Sequence, residues 1–232
     1  MTRGRKRGTG VPPVNLALPL PTDHGRDARA TRPCHTMRAL YDDIAPRYDA
    51  AMKPLERWFL SKWRAKALAH LPPHSRVLEV GAGTGLNFQF YPPGAYGVAS
   101  ELSREMLRLA NLKNKPARLS LVQNDAESMP FADASFEAAV ATLVFCSIPS
   151  PAKAFAELRR VIAPGGTVVF LEHVRPRGPL GPIFDALNFV TVRLCGDHCN
   201  RRTADGAREA GMKIEIIEQR FLGIFNLIVC KV

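Results

Sequence analysis

The chain has 232 residues, of which 46% are hydrophobic and 23% are charged, so it is long enough for one globular domain with a buried core. Its five cysteines are odd in number and irregularly spaced, which argues against a disulfide framework and predicts a reducing, cytoplasmic location. The formal net charge of +11 would suit an anionic membrane or substrate, but the sequence lacks RNA-binding motifs, so no nucleic-acid partner is expected.

Residues 1–36 differ from the rest of the chain. They are rich in Arg, Gly and Pro and show neither helical nor strand periodicity. They also resemble the translation of a dispersed repeat that precedes genes in some bacterial genomes. We therefore expect a disordered or spurious leader, translation from Met37, and one domain over residues 37–232. The basic start is followed by prolines and not by an apolar stretch, so no secretory signal is predicted.

Two helical segments are predicted after the leader, over residues 38–51 and 54–71. Pro46 is expected to interrupt the first, because proline lacks the N–H that an internal helical hydrogen bond needs. The second begins with a proline, which the first turn of a helix tolerates, and ends before Pro72. Together the two segments form a predicted N-terminal unit over residues 37–71.

Short apolar runs then alternate with helical stretches. The runs predicted as strands are 76–80, 95–100, 118–122, 136–145, 166–172 and two closing segments within 212–220 and 221–232. The predicted helices are 103–112, 151–162 and 203–210, the last of which ends at Gly211. Apolar strands separated by helices predict a mostly parallel sheet with helices on both faces, and the closing pair makes the last strand antiparallel.

A long irregular stretch, residues 174–200, follows the fifth predicted strand and is interpreted as a substrate-side insertion. If residues 180–195 are helical, one face carries most of the apolar side chains, namely Leu180, Ile183, Phe184, Leu187, Val190 and Leu194. Such a helix could lie on an anionic membrane surface, since arginines flank it. The alternative is a helix that caps the substrate pocket.

The segment VLEVGAGTG, residues 77–85, joins a predicted strand to a glycine-rich turn and a helix-compatible segment. Gly81, Gly83 and Gly85 let the backbone turn sharply and let a ligand approach where no Cβ intervenes. Glu101, about twenty residues on, can accept hydrogen bonds from two ribose hydroxyls, as an acidic residue also does in NAD enzymes. Asp125 argues against an NAD enzyme, because its carboxylate can accept a hydrogen bond from an adenine amino group.

Five segments stand in the order of the successive motifs of class I S-adenosylmethionine-dependent methyltransferases: VLEVGAGTG, ELSREML, NDAESMPF, SFEAAVATLVF and LRRVIAPGG. The chain resembles this family over about residues 38–232, and most resembles its ubiquinone/menaquinone and phospholipid N-methyltransferase branch. The resemblance implies an α/β, Rossmann-like fold with a seven-stranded sheet, and S-adenosylmethionine as cofactor. The residues it implies in cofactor binding are Tyr41, Tyr48, Glu79, Gly81, Ala82, Gly83, Gly85, Glu101, Leu102, Met106, Asp125, Ala126 and Thr142.

In detail, the resemblance places Glu79 and the three glycines at the methionine part of the cofactor. Glu101 would hold the ribose, and Asp125 and Ala126 the adenine, with Leu102 and Met129 packed near the ring.

The segment YDDIAPRYD, residues 41–49, resembles the lid of this branch, whose tyrosines close over the cofactor. Tyr41 and Tyr48 are seven residues apart and would share one face of an intact helix. A closed lid would expel water and align the reacting atoms. The alternative is an ordinary amphipathic helix that packs on the core.

In this family the fourth strand and the loop after it border the active site, which makes Thr142, Leu143 and Cys146 candidates for the pocket wall. Cys146 could equally be a small buried hydrophobic residue. His173, at the carboxyl end of the fifth strand beside Glu172, could accept a proton, orient the acceptor or have only a structural role.

The segment CGDHCN, residues 195–200, places two cysteines around a histidine. A zinc site needs about four ligands, or three and a water, and no second ligand pair is near in the sequence, so no metal is expected. Together with the preceding stretch, this segment resembles an insertion in a narrower group that includes thiol S-methyltransferases.

The reaction implied by the resemblance is an in-line displacement at a sulfonium methyl group, in which the protein mainly aligns and desolvates the reactants. The favoured acceptor is a phospholipid amine such as phosphatidylethanolamine, with a small-molecule thiol and a quinone-precursor ring carbon as alternatives. An NAD-binding oxidoreductase is the rival of a different class. The candidate catalytic residues are His173, Asp197, His198 and Tyr48. The expected partner is a small-molecule or lipid substrate, and peripheral contact with the inner face of the membrane stays open.

Overall fold

The computed structural model describes residues 32–176, 178, 180–195 and 198–232. Most of the predicted leader lies outside these residues, so its disorder and the start at Met37 remain predictions. The first helix begins at Arg32, five residues before that predicted start.

Seven strands form one sheet, in the spatial order β3, β2, β1, β4, β5, β7, β6. The strands are β1 (Arg76–Val80), β2 (Tyr96–Glu101), β3 (Leu119–Gln123), β4 (Phe136–Thr142), β5 (Ile162–His173), β6 (Lys213–Arg220) and β7 (Phe225–Lys231). The first five strands pair in parallel, whereas β7 is antiparallel to both β5 and β6. The predicted α/β sheet with an antiparallel last strand is therefore confirmed.

The sheet is covered on both faces. In β4, Ala139 and Ala141 pack into one apolar cluster with Phe170, whereas Ala138 and Val140 pack into a second cluster on the other side. Side chains alternate between the faces of a strand, so an unbroken apolar run such as this one is what a doubly covered strand requires.

One long helical run forms the N-terminal unit. It consists of α1 (Arg32–Leu55), a π-helical turn (Glu56–Leu60) and α2 (Ser61–Leu68). The predicted interruption at Pro46 is wrong, because α1 continues through that residue. Proline removes one hydrogen bond from the helix, but the neighbouring Ala45 is buried, so packing holds this segment in place.

The remaining helices are α3 (Arg104–Asn111), α4 (Pro151–Val161), α5 (Leu180–Cys195) and α6 (Thr203–Glu209). The stretch predicted as irregular thus contains a 16-residue helix, α5. Gly211 follows α6 with φ at +83°, as expected of a glycine that ends a helix. None of the helices in the described part of the chain is both long and apolar enough to cross a bilayer.

The segment after the glycine loop, whose sequence is compatible with a helix, is not an α-helix. Only a short 3-10 turn, Phe88–Phe90, lies between the loop and β2. Pro92 and Pro93 follow two residues later and cannot donate the hydrogen bonds that would extend a helix. The chain therefore returns to β2 through a compact turn, on which Phe88 is buried.

Candidate active site

A cleft opens at the carboxyl ends of β1, β2 and β4, which is where ligands bind in open α/β sheets. Its volume is about 910 Å³ when the part open to solvent is included. It is lined by eleven of the thirteen residues implied in cofactor binding, namely Tyr41, Tyr48, Gly81, Ala82, Gly83, Glu101, Leu102, Met106, Asp125, Ala126 and Thr142. The other two, Glu79 and Gly85, lie outside the lining.

Two glycines shape the floor of the cleft for different reasons. Gly81 has φ at +66°, and a Cβ on it would lie 2.4 Å from Val144 Cγ2, so the loop after β4 packs directly against its backbone. Gly83 has φ at +55°, and nothing lies within 4 Å of the position its Cβ would take. A side chain on Gly83 would therefore enter the cleft itself. Both positions need the left-handed backbone that glycine adopts most easily.

Glu101 lies at the end of β2 and joins two loops that border the cleft. Its Oε2 accepts from the Gly83 amide at 2.9 Å and its Oε1 from the Ser103 amide at 2.9 Å. Burial raises the pKa of this carboxyl, although the backbone hydrogen bonds oppose the rise. Since it lines the cleft, Glu101 is also able to accept hydrogen bonds from a ligand.

Asp125 follows β3 and lies in the same cleft, next to Ala126. Its Oδ1 accepts from the Glu127 amide at 2.9 Å, which fixes the carboxylate in a tight turn. Leu102 and Met106 supply apolar surface to the cleft nearby. Met129 is instead buried in the core beneath.

A buried polar network lies next to the part of the cleft that the sequence analysis assigns to the methionine moiety of the cofactor. Arg64 Nη1 donates to Asn87 Oδ1 at 3.0 Å and to Thr142 Oγ1 at 2.7 Å. Asn87 Nδ2 donates to Glu79 Oε1 at 2.7 Å, and Tyr91 Oη donates to Glu79 Oε2 at 2.7 Å. Glu79 is fully buried outside the lining, and Asn87 links its carboxylate to Thr142, which lines the cleft.

The charge of Glu79 depends on its surroundings. Burial raises the pKa of this carboxyl to about 7, although the hydrogen bonds from Tyr91 and Asn87 and the charge of Arg64 favour the ionised form. Burial also raises the pKa of the Tyr91 phenol well above its usual range, so Tyr91 remains a donor. The network thus holds one arginine, which is ion-paired with Glu56, and one carboxyl whose pKa is raised to about 7.

Arg64 comes from α2 and is a residue that the sequence-based reading did not select. Its side chain is buried and lines the cleft. The π-helical turn positions its ion-pair partner, since Glu56 Oε1 accepts from Arg64 Nε and Nη2, both at 2.9 Å. π-helical turns are rare and are often found at functional sites. A lone arginine in an amphipathic helix carries no sequence signal of this role.

The helix α1 covers one side of the cleft with two tyrosines. Tyr41 and Tyr48 both line the cleft, and Tyr41 Oη hydrogen-bonds to Ser147 Oγ at 2.6 Å, in the loop after β4. Burial raises the pKa of Tyr48 to about 12, so its phenol is neutral at physiological pH and can donate a hydrogen bond. The two tyrosines share one helical face because α1 is unbroken at Pro46.

Two aspartates hold α1 in this position. Asp42 Oδ1 accepts from Ser103 Oγ at 2.6 Å and from the Glu105 amide at 3.1 Å, at the start of α3. Asp49 accepts from Thr84 Oγ1 at 2.5 Å and pairs with Lys113 Nζ at 2.6 Å. Burial acts to raise the pKa of Asp42. Its hydrogen bonds from Ser103 and Glu105 outweigh that effect, together with the charge of Arg38, so the pKa of Asp42 is lowered overall.

The loop after β4 closes the far side of the cleft. Leu143 lines the cleft with φ at +59°, a backbone conformation that few residues other than glycine adopt. Glu172 holds the loop, since its Oε1 accepts from the amides of Val144 and Phe145 at 3.0 and 3.1 Å. Cys146 is buried outside the lining and packs as a small apolar residue.

The candidate bases do not reach the described lining of the cleft. His173 ends β5 and pairs with Phe225 of β7. The His198 amide donates to the Cys146 carbonyl at 2.9 Å, which attaches the insertion to the loop after β4. Asp197 lies outside the described residues. The only candidate catalytic residue in the described lining is Tyr48. Across the residues that the structure describes, no group of three or more His, Cys, Asp or Glu side chains could hold a metal ion.

The comparison with protein families decides the nature of this domain. Residues 78–170 match the family model described as "Methyltransferase domain". The chain carries a methyltransferase domain over these residues, with the fold of class I S-adenosylmethionine-dependent methyltransferases. S-adenosylmethionine is the methyl donor of this class. The match contains the glycine loop, Glu101, Asp125 and the end of β4, which are the parts of the cleft that the sheet provides.

Curated relatives of this methyltransferase domain have two kinds of named activity. Over 63% of the chain it is 34% identical to the demethylmenaquinone methyltransferase of Renibacterium salmoninarum, covering 62% of that protein. Over 67% of the chain it is 32% identical to the human thiol S-methyltransferase TMT1B, covering 66% of that protein. The ubiquinone/menaquinone biosynthesis C-methyltransferase UbiE of Syntrophotalea carbinolica is 35% identical over 64% of the chain and is also covered to 66%. The chain thus spans slightly less than two thirds of these relatives.

Solved structures agree on the fold of the methyltransferase domain. An S-adenosylmethionine-dependent methyltransferase from Thermotoga maritima has a TM-score of 0.65 at 20% identity and covers 84% of this chain and 99% of its own. The cyclase SpnF has a TM-score of 0.68 at 16% identity and covers 85% of this chain and 96% of its own. Because a cyclase shares this fold, the fold alone leaves the reaction open.

The residues of the cleft fit S-adenosylmethionine. The open space in front of Gly83 admits a ligand directly against the backbone. Two carboxylates, Glu101 and Asp125, lie on the same side of the cleft as the apolar Leu102 and Met106, a combination that suits a nucleoside.

Proposed function

We propose that this protein transfers the methyl group of S-adenosylmethionine to an apolar acceptor that reacts as an anion, with a small-molecule thiol as the first candidate. The observation that carries this proposal is the charge of the cleft. Among its described lining residues the carboxylates are Glu101 and Asp125, both on the cofactor side, and the one cation is the buried Arg64. S-adenosylmethionine supplies an activated methyl group when bound.

A buried guanidinium favours an anion near it and disfavours a second cation. A thiol acceptor reacts as its thiolate, and a quinone precursor reacts through an ionised ring hydroxyl, so both acceptors gain from a positive charge in the cleft. An ammonium acceptor gains no such stabilisation, because a nearby guanidinium disfavours its charged form. Arg64 therefore supports thiols and quinone precursors over lipid amines.

The walls around the acceptor end support an apolar acceptor. They contain Met37, Leu143, Ile148 and Pro149, with the hydroxyl groups of Tyr41 and Tyr48 as the polar contribution. Such a surface offers van der Waals contact and a few directed hydrogen bonds, which is the usual composition of a small-molecule site. Tyr48, as a neutral phenol, can orient the acceptor but cannot remove its proton at neutral pH.

The thiol is placed first for two reasons. The segment CGDHCN and the helix before it resemble an insertion of the thiol S-methyltransferase group, and the match to TMT1B extends over 67% of the chain. The quinone-precursor acceptor is the second candidate, since relatives named for demethylmenaquinone are as similar over 63% of the chain. The phospholipid amine favoured by the sequence is placed last, because the two carboxylates of the described lining, Glu101 and Asp125, both lie on the cofactor side.

The test uses S-adenosylmethionine with a labelled methyl group. The full-length protein is incubated separately with a small apolar thiol, a short-chain demethylmenaquinol and phosphatidylethanolamine vesicles, with Asp125→Arg as the control for transfer without enzyme. We expect label in the thioether product, rising with pH as the thiol ionises. Label chiefly in dimethylated or monomethylated lipid would overturn the charge argument. Label chiefly in the quinol would replace the thiol by the second candidate.

A further inference from the structure

The β6–β7 hairpin, the end of α1 and the π-helical turn that follows it carry an exposed apolar patch, which we define as Leu55, Trp58, Phe221 and Leu222. Trp58 and Leu222 are each 79% exposed, Phe221 is 58% exposed and Leu55 is 40% exposed. The hairpin and the π-helical turn touch through Phe59, whose ring centroid lies 4.7 Å from that of Phe221. Large apolar side chains that cluster at the surface generally mark an interaction site.

The turn of the hairpin has an unfavourable backbone conformation at the two residues whose apolar side chains are exposed. Phe221 and Leu222 have φ at +49° and +57°, in the left-handed region that side chains with a Cβ disfavour. The Val174 amide donates to the Ile224 carbonyl, so this turn is fixed to the carboxyl end of β5. The patch therefore lies at the same edge of the sheet as the cleft.

The surroundings of the patch are positively charged. Lys53, Arg57, Lys62 and Arg220 are all exposed around it. Two carboxylates on the same elements are already paired, Glu56 with the buried Arg64 and Glu218 with Lys66. Trp, Phe and Leu side chains framed by Lys and Arg have the composition of surfaces that lie at the boundary between lipid headgroups and acyl chains.

We infer that this patch docks the protein onto an anionic phospholipid bilayer. Charge decides among the occupants of the patch. A second copy would bring an identical positive rim against the first. Residues 1–31 hold six Lys or Arg and two Asp, a net +4, so this segment is repelled as well. An anionic lipid surface complements the rim and accepts the apolar side chains.

This inference is independent of the proposed function, because lipid binding is measured where no methyl transfer takes place. It also differs from the sequence-based suggestion of a membrane contact through residues 180–195. In α5, Ile183 and Leu187 are 54% and 47% exposed, less than Trp58 or Leu222. Trp58 and Leu222 are thus more exposed than the two exposed large apolar residues that the structure describes in α5.

The chain contains two tryptophans, of which Trp63 is buried, so a Trp63→Phe variant reports the environment of Trp58 alone. The full-length variant is mixed with vesicles of phosphatidylcholine, with and without phosphatidylglycerol. We expect Trp58 emission to be that of an exposed indole in buffer and to shift to the blue only with phosphatidylglycerol. An emission already shifted in buffer would mean that protein covers the patch, and it would overturn the proposal.

Matched variants test the surface itself by vesicle sedimentation. Trp58→Ser combined with Leu222→Ser should weaken binding to anionic vesicles at least tenfold. Leu112→Ser, at a site that is 74% exposed on α3, should change it less than twofold. Arg57→Ser with Lys62→Ser should also weaken it about 25-fold at low salt, since each basic residue near such a surface contributes about a factor of five. Equal binding by wild type and the Trp58 and Leu222 double variant would overturn the proposal, as would a wild-type dimer that this variant abolishes.

Discussion

Arg64 Nη1 donates to Thr142 Oγ1 at 2.7 Å and so joins the N-terminal helical unit to the carboxyl end of β4. The same guanidinium pairs with Glu56 in the π-helical turn. One buried side chain thereby links the part of the chain that covers the cleft to the sheet that forms its floor.

Replacement of Arg64 by Ala should destabilise the fold substantially. It leaves Glu56 and Asn87 without their buried partner, and breaking a buried ion pair costs about 3–5 kcal/mol. Urea unfolding followed by circular dichroism measures the change. Arg57→Ala, an exposed arginine in the same π-helical turn, is the matched control, and it should alter the free energy of unfolding by less than about 0.5 kcal/mol. Equal effects of the two variants would show that the buried network does not stabilise the fold.

The raised pKa of Glu79 predicts a specific pH dependence of stability. The folded protein keeps the Glu79 proton up to about pH 7, whereas the unfolded chain releases it near the ordinary glutamate pKa of 4.5. Between these values the folded state binds more protons, so the free energy of unfolding falls as pH rises. The contribution is at most about 3 kcal/mol.

Glu79→Gln isolates this effect from that of Glu101, whose pKa is also raised by burial. The difference in unfolding free energy between wild type and Glu79→Gln should change between pH 5 and pH 8 in favour of the variant. Tyr91→Phe removes a donor that favours the ionised form, and it should extend the sensitive range to higher pH. A difference that stays constant with pH would contradict the assignment.

The two aspartates that hold α1 should control cofactor affinity. Asp42→Asn with Asp49→Asn weakens charge-assisted hydrogen bonds to Ser103 and Thr84, each worth about 1.5–3 kcal/mol. We expect KM for S-adenosylmethionine to rise about tenfold, with a smaller change in kcat, because the variant closes less readily over the cleft. Asp43→Asn, in the same segment but exposed, should leave KM within twofold. Similar behaviour of the two variants would argue that α1 is not a lid.

The glycine loop should respond differently at two positions. Gly81→Ala places a Cβ 2.4 Å from Val144 Cγ2 and should destabilise the fold by about 2–4 kcal/mol, as overpacking and a left-handed backbone together imply. Gly83→Ala meets no protein atom and should cost only about 1 kcal/mol for its backbone. It should nevertheless weaken S-adenosylmethionine binding, which calorimetry measures, because its methyl group enters the cleft. An unchanged affinity of Gly83→Ala for S-adenosylmethionine would show that the ligand does not contact Gly83.

The sequence predicted those parts of the fold and site that depend on local pattern. Apolar runs located every strand, and the positions of Glu101 and Asp125 follow from where β2 and β3 end. Arg64 and Glu56 were not predicted, because their pairing depends on a π-helical turn that no spacing rule identifies. The predicted helix interruption at Pro46 was wrong, because packing around the buried Ala45 overrides the local preference of proline.

The central claim is that this cleft binds S-adenosylmethionine through Asp125 and its neighbours, and titration calorimetry tests it most directly. Wild type and Asp125→Arg are compared, with Asp43→Arg as a control that makes the same charge change on an exposed part of α1. We predict saturable one-site binding by wild type and Asp43→Arg, and none by a folded Asp125→Arg variant. Normal binding by Asp125→Arg would contradict the site assignment, and no binding by folded wild type would contradict the methyltransferase account as a whole.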